Sequence, residues 1–504
     1  MNLPRLILVV LTGWLFLAFT QVRAASLKAV YQSISLAESE GRHVDAAKTA
    51  FRLSQDLASE RPKAFAMVTK NLVLGGFPQV SLYFFLEVLK SNHAEGKKIV
   101  LAFTETLLDE LGSDSFRGLL LQYTKAADFS PDQVSAYYFL KAKQHLSQGD
   151  YRSVLEAVNS IKPQSRTFAF ALQLRGTALA ILNRAEEAIL DFRNCAKYAQ
   201  ASLPLDPHRA QDLQSRCLAS EARSLYQLNR TQEADKVYDS IAKERLVWPE
   251  TLIEQAWNAY SQGEFNRSLG KLITYKSPYL SYILNGEVEL LRAMSFLGLC
   301  RGSDAVKVVS DFQSRYEKTG AQVKALLESK PVVLSRFYSL GVQALEQPET
   351  ASDPVVKFIS RFVRSPYFKD TVDQTQEVAR ERARFEEFTR PQGKSGSSGL
   401  MGFVPNVYNW RRKQLQDIGG AFIQNSLIDH YSSLVSAFEQ MAFVRIEALE
   451  RTKRVLMSNR QSTPLTLVEQ YQKPKSYQYF WKFNGEFWGD ELGDYVYAYP
   501  GECG

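Results

Sequence analysis

Two stretches, Gly176-Thr-Ala-Leu-Ala-Ile-Leu-Asn183-Arg-Ala-Glu-Glu-Ala188 and Ala222-Arg-Ser-Leu-Tyr-Gln-Leu-Asn229-Arg-Thr-Gln-Glu-Ala234, share one plan. A small residue is followed seven positions later by a turn residue and twelve positions later by a second small residue. The plan recurs from Ala142 (Gly149, Val154), Ala256 (Gly263, Ser268) and Ala293 (Cys300, Ala305), with starts spaced 34, 46, 34 and 37 residues apart. Two antiparallel helices approach to about 8–10 Å only where the facing side chains are small, so these positions mark where the helices of a hairpin cross. One turn beyond the second crossing stand Phe192, Tyr238, Leu272 and Val309, on the same helical face. A single hairpin leaves that stripe in water, so neighbouring copies must stack to bury it.

This period and small-residue scheme, with the turns Gly149-Asp150-Tyr151 and Gly263-Glu264-Phe265, resembles the tetratricopeptide repeat family. Gly41, Ala46, Ala50 and Leu53 repeat the offsets upstream, and Gly75-Gly76-Phe77 reads as another turn. The expectation is about eight helical pairs between roughly 27 and 345. The resemblance implies an all-α fold, a right-handed helical-hairpin solenoid over 25–345; beyond it the residues themselves read as a helical extension over 346–390. It also implies a concave face, lined by the first helix of each pair, that holds a partner's peptide or helix. Tyr138, Arg175, Arg223, Gln255 and Arg292 are the candidate contacts there.

The chain opens with Met-Asn-Leu-Pro-Arg and an uncharged run from Leu6 to Val22, and Val22-Arg23-Ala24 carries small residues where a signal peptidase cuts. This is the layout of a secretory signal peptide over 1–24. The apolar run is short for a spanning helix, and a retained N-terminal anchor is the alternative. Either way the rest of the chain is expected in the periplasm, associated with the membrane only through a complex or that anchor. Removing Arg5 and Arg23 lowers the formal charge from +7 to +5, and 61 basic residues interleave with 54 acidic ones. No basic block of the kind nucleic-acid binding needs is present. An exported chain can form disulfides. Cys195 and Cys217 flank an extra segment, residues 201–208, and are the expected pair; two buried free thiols are the alternative. Cys300 and Cys503 remain.

The repeat signal fades after about 345. Pro391-Gln-Gly-Lys-Ser-Gly-Ser-Ser-Gly399 reads as a flexible linker over 391–405. Its Gly393-Lys394-Ser395 is no phosphate loop, because position 388 is Phe388 rather than glycine. A long helix is expected over 406–460. Leu427, Tyr431, Leu434, Phe438 and Met441 form a coiled-coil-like stripe on it, which either packs back on the repeats or pairs with another helix; Gly419-Gly420 is a candidate break. In the tail, 461–504, Tyr477, Tyr479, Trp481 and Phe483 alternate, as do Tyr495, Tyr497 and Tyr499, around Asn484-Gly485. Alternation and an Asn-Gly turn predict a small C-terminal β-hairpin module. Trp481, Phe483, Trp488 and Tyr495 are its candidate binding aromatics. The run from Trp481 to Tyr495 also resembles the tails of exported repeat proteins of gliding and predatory delta-type bacteria, which implies a role in an envelope or motility complex.

None of the five histidines, His43, His93, His145, His208 and His430, stands at metal-ligand spacing from another histidine or a cysteine. No nucleophile elbow or zinc-protease motif occurs. No enzyme activity, metal or cofactor is therefore expected. The functional expectation is an exported scaffold or adaptor of the cell envelope that binds other envelope proteins. The alternative is a cell-wall protein that binds peptidoglycan or another glycan through its aromatic tail.

Overall fold

A computed structural model describes residues 27–201, 207–347, 353–388, 399–458 and 483–501. The segments read as signal peptide, most of the linker, the first arm of the expected hairpin with Trp481, and Cys503 lie outside the described residues. Those that are described form helices, turns and irregular chain, with no strand among them.

One turn recurs seven times among them, at Gly41, Gly76, Gly149, Asn183, Asn229, Gly263 and Cys300, each left-handed with φ between +58° and +83°. The next residue's N–H returns to the carbonyl five positions back, as in Arg184 to Leu179 (2.9 Å) and Arg230 to Leu225 (2.9 Å), and the turn residue's own N–H bonds three back. This is the Schellman closure, which satisfies carbonyls that a helix end otherwise leaves open. The residue donating the longer bond then starts the second helix: its carbonyl accepts from four positions on, as Arg184 does from Ala188 and Arg230 from Ala234. Turn and restart thus share three residues, and the two helices fold back on each other.

The chain divides into two compact units: residues up to Gln144 with Asp373–Leu415, and His145–Val372 with the chain from Gln416 onward. In the first, the pairs 27–39 with His43–Asp56 and Arg61–Leu74 with Pro78–Ser91 carry the repeated turn. Shorter helices Ala94–Leu101, Thr104–Leu111 and Arg117–Tyr123 follow without it. Ala46, Ala50, Phe51, Val68 and Phe84 are buried with Val378, Phe385, Val404 and Tyr408. A polar staple crosses this core. Glu381 accepts the backbone N–H groups of Gln79 and Val80 (both 2.9 Å) and the Tyr408 hydroxyl (3.0 Å). The fully buried Arg411 donates to Gln79 (2.9 Å), Gln374 (2.8 Å) and Gln414 (2.7 Å).

In the second unit the pairs are Phe168–Ile181 with Ala185–Ala201, Pro207–Gln227 with Thr231–Asp239, Trp248–Ser261 with Phe265–Ile273, and Gly286–Gly298 with Gly302–Glu328; Tyr151–Asn159 precedes them. The crossing residues Ala188, Ala222, Ala234, Ala256, Ala293 and Ala305 are wholly buried. A Cβ on Gly176 would press into the Phe192 ring at 2.7 Å. Cys195 and Cys217 are disulfide-bonded with Cα atoms 6.0 Å apart, and Cys300 is also a disulfide cysteine. Leu334–Glu346 and Pro354–Ile359 follow the repeats. The helix Leu400–Ser458 runs unbroken through Gly419-Gly420. The glycine pair makes room instead of a kink: a Cβ on Gly420 would overlap the Leu334 carbonyl, and one on Gly419 would meet the Tyr338 ring at 2.7 Å. The stripe of Leu427, Leu434 and Met441 is buried on this unit's own helices, with Phe438 4.7 Å from Phe312.

The expected C-terminal β-hairpin module is absent from the described tail. Residues 483–501 are irregular chain with a turn over 489–493. Their backbone groups find helix partners in place of a second strand. Tyr499 donates its N–H to Asn266 Oδ1 (3.0 Å) and accepts from Asn266 Nδ2 (3.0 Å), while Tyr497 N–H bonds the Asn266 carbonyl (3.2 Å). Gly493 N–H bonds Thr274 Oγ1 (3.0 Å). One asparagine at a helix start therefore does the work of a strand ladder. The fold is all-α and helical-repeat in kind.

Burial pushes the Glu381 carboxyl up to about 7, against the N–H groups of Gln79 and Val80 and the Tyr408 hydroxyl, which favour its charged form. An unfolded glutamate titrates near 4.3, so the folded unit binds the proton more tightly than the unfolded chain. Stability from this group is fully present below about pH 4.3 and is lost as pH rises towards about 7. Urea unfolding at several pH values is expected to show that slope in the native chain, and Glu381→Gln is expected to remove it.

Candidate functional site

The second unit carries a cleft of about 170 Å³ on the faces of its first helices. Pro207–Gln227 brings Asp212, Arg216 and Arg223 to it, the start of Trp248–Ser261 brings Pro249 and Glu250, and the segment after Pro354–Ile359 adds Arg361 and Arg364. Arg216 and Arg223 are seven residues apart and share a helical face; Arg361 and Arg364 are three apart.

The four guanidinium groups are held differently. Arg223 donates to Glu254 Oε1 (2.9 and 2.7 Å), whose other oxygen accepts the Tyr238 hydroxyl (3.0 Å). Burial alone would lower the Arg223 pKa, but Glu254 overcomes it and the net shift is upward. Arg361 reaches Glu287 at 3.3 Å, and Glu287 also accepts the Trp257 indole (2.9 Å). Arg364 lies 4.6 Å over the Tyr282 ring, a cation–π arrangement. Arg216 has its Nε sealed from solvent with no hydrogen-bond partner among the described residues. Burial lowers its pKa, and Asp370 and Asp212 offset only part of that. Leu246, Val247 and Ile283 supply apolar wall. Guanidinium forks in a partly apolar cleft suit carboxylates or phosphates.

Of the residues expected to contact a partner, Arg223 lines this cleft. Arg175 is clamped by both oxygens of Asp191 (2.7 and 2.6 Å) and by Asn159 (3.1 Å). Arg292 is paired with Glu289 on its own helix. Gln255 is buried, with its Oε1 unpartnered among the described residues. Tyr138 belongs to the first unit, its ring 5.5 Å from Tyr137. Arg216, Arg361 and Arg364 were not singled out from the sequence. The last two lie beyond the repeats, where register gives no direction; Arg216 was legible as the same-face neighbour of Arg223.

The tail aromatics sit elsewhere on this unit. Phe483, Phe487 and Tyr495 form a mutual edge-to-face trio with centroids 5.3–5.6 Å apart. Tyr497 stacks on Tyr499, over which Arg301 lies at 4.7 Å. Lys243 donates to the Asp490 carbonyl and to Asp494 (3.0 Å). Trp488 remains 60% exposed. Among the described residues no group of three or more histidine, cysteine or acidic side chains is placed to hold a metal ion. None of the described helices is long and apolar enough to cross a membrane.

No family model matches the sequence, and no curated protein is similar to it. Among solved structures, the chain aligns with a circular tandem repeat protein with novel repeat topology and enhanced subunit contact surfaces. That alignment is 13% identical and covers 85% of this chain and 90% of the other, with a TM-score of 0.13. A superposition that slight carries no argument, and the helical repeats are read from the hairpins themselves.

At Gly270 the tail backbone lies directly against a repeat helix: a Cβ there would overlap the Tyr495 carbonyl and stand 2.7 Å from Val496 Cα. Gly270→Val is expected to release residues 483–501. Limited proteolysis should then cut the tail faster while circular dichroism keeps the native helix content.

Proposed function

We propose that this chain is an exported, tetratricopeptide-like scaffold of the cell envelope that holds a partner protein and catalyses no reaction. The observation that carries the proposal is the cleft on the first-helix faces of the second unit, where guanidinium groups and apolar side chains from four separate segments converge. The repeats supply a rigid frame for it, because each hairpin is closed by the same hydrogen-bonded turn. The signal-peptide layout of the N-terminus supports export, and the likeness of the tail to those of delta-type bacterial envelope proteins supports an envelope or motility complex.

The glycan reading keeps one favouring observation. Trp488, next in sequence to Phe487 of the aromatic trio, is exposed, and an exposed indole is a sugar-stacking surface. Among the described tail aromatics, Phe487, Tyr495, Tyr497 and Tyr499 are partly buried on the protein itself, which favours the scaffold.

Crosslinking in the native envelope, followed by purification of the full chain and of a chain ending at Ser458, separates the two. Protein partners recovered with both forms are expected. Recovery of wall fragments alone, and only with the full chain, would replace the scaffold by the glycan reading.

A further inference from the structure

We propose that the arginine cleft of the second unit binds an acidic peptide segment. A side-chain aspartate or glutamate of the partner seats on Arg216 and Arg364, with its apolar neighbours against Val247 and Ile283. The inference rests on the scaffold reading and names what the scaffold holds.

The four cleft arginines divide into two kinds. Arg223 and Arg361 already have carboxylates, Glu254 and Glu287. Arg364 has an aromatic face beneath it, and the Arg216 Nε has no hydrogen-bond partner among the described residues. A desolvated guanidinium whose burial is only partly offset, here by Asp370 and Asp212, is unfavourable. Arg216 lines the wall of an open cleft, where an incoming carboxylate adds the charge that its own neighbours supply only in part. Arg364 is held by its ring contact with its own hydrogen-bonding capacity unspent. Arginine forks bind carboxylates in two-point geometry.

The rest of the lining selects the ligand class. Asp212 and Glu250 stand on the same walls, so a polyanion such as nucleic acid meets repulsion, whereas a peptide offers N–H groups to those two carboxylates. Leu246, Val247 and Ile283 would stay wet around a bare inorganic anion and are covered by the apolar side chains of a peptide.

The test is calorimetric titration of the full-length chain with an N-acetylated, C-amidated octapeptide that carries a single aspartate flanked by leucines in a serine background. Controls are the counterpart with asparagine in place of the aspartate and inorganic phosphate. The acidic peptide is expected to bind at least about tenfold more tightly than the asparagine peptide, and Arg216→Gln to lower its affinity at least about tenfold. Because Asp370 and Asp212 offset only part of the burial of Arg216, that variant is expected to keep or raise the melting temperature. Arg364→Gln, on a separate segment, is the second variant and is expected to weaken the same peptide. Equal binding of the two peptides, no binding of either, phosphate binding as tightly as the acidic peptide, or folded variants with unchanged affinity would each overturn the proposal. If that happens while native-envelope crosslinks to protein partners persist, the scaffold reading survives; if the crosslinks are absent as well, both fall.

Discussion

The repeated hairpins among the described residues depend on a chain reversal that requires one residue in the left-handed region. That conformation costs most residues about 1–2 kcal/mol, and glycine and asparagine least. Six of the seven turn positions are glycine or asparagine, and the seventh is Cys300, a disulfide cysteine. The reversal returns two hydrogen bonds to the helix that ends and starts the next helix without a gap. With so short a turn, the two helices have no freedom to separate. Their crossing positions must then be small, and wholly buried alanines fill most of them, with Gly176 where the Phe192 ring leaves no room for a side chain. Turn and crossing are two parts of one constraint, which is why they recur together.

Within the second unit, segments from outside the repeats attach by the same rule of close approach. Gly420 takes the Leu334 backbone, Gly302 takes the Ala448 carbonyl and Gly270 takes the Tyr495 carbonyl. Each is a place where a helix gives up a side chain so that another backbone can lie against it. The first unit holds its distant segments differently, through buried charge. Glu381 covers the open N–H groups at the start of Pro78–Ser91, and Arg411 spends its donors on three glutamines. An ionised carboxylate at a helix start is favoured by the exposed N–H groups and the helix dipole, which here work against the cost of burial.

The sequence was readable where a feature is local. Turn residues, crossing residues and the stripe from Leu427 to Met441 all follow from spacings within one helix pair or one helix. The tail was misread because alternation marks a strand only if a second strand takes the backbone bonds; here Asn266, distant in sequence, takes them. Gly419-Gly420 looked like a break because the helix it accommodates could not be seen. The cleft was half legible. Arg223 follows from repeat register, but register alone could not show that Asp191 and Glu289 already occupy Arg175 and Arg292. Arg361 and Arg364 enter the site only through tertiary structure.

The repeated reversal is tested most directly by hydrogen exchange at single-residue resolution on the amides of Arg42, Phe77, Asp150, Arg184, Arg230, Glu264 and Arg301. Each of these residues follows a left-handed turn residue and donates to the carbonyl five positions back at 2.8–3.0 Å. All seven amides are expected to exchange as slowly as those of the helices they join, although they lie in connecting turns. Exchange at the rate of open chain at these positions, with the flanking helices protected, would contradict the hydrogen-bonded reversal and with it the basis of the repeat fold.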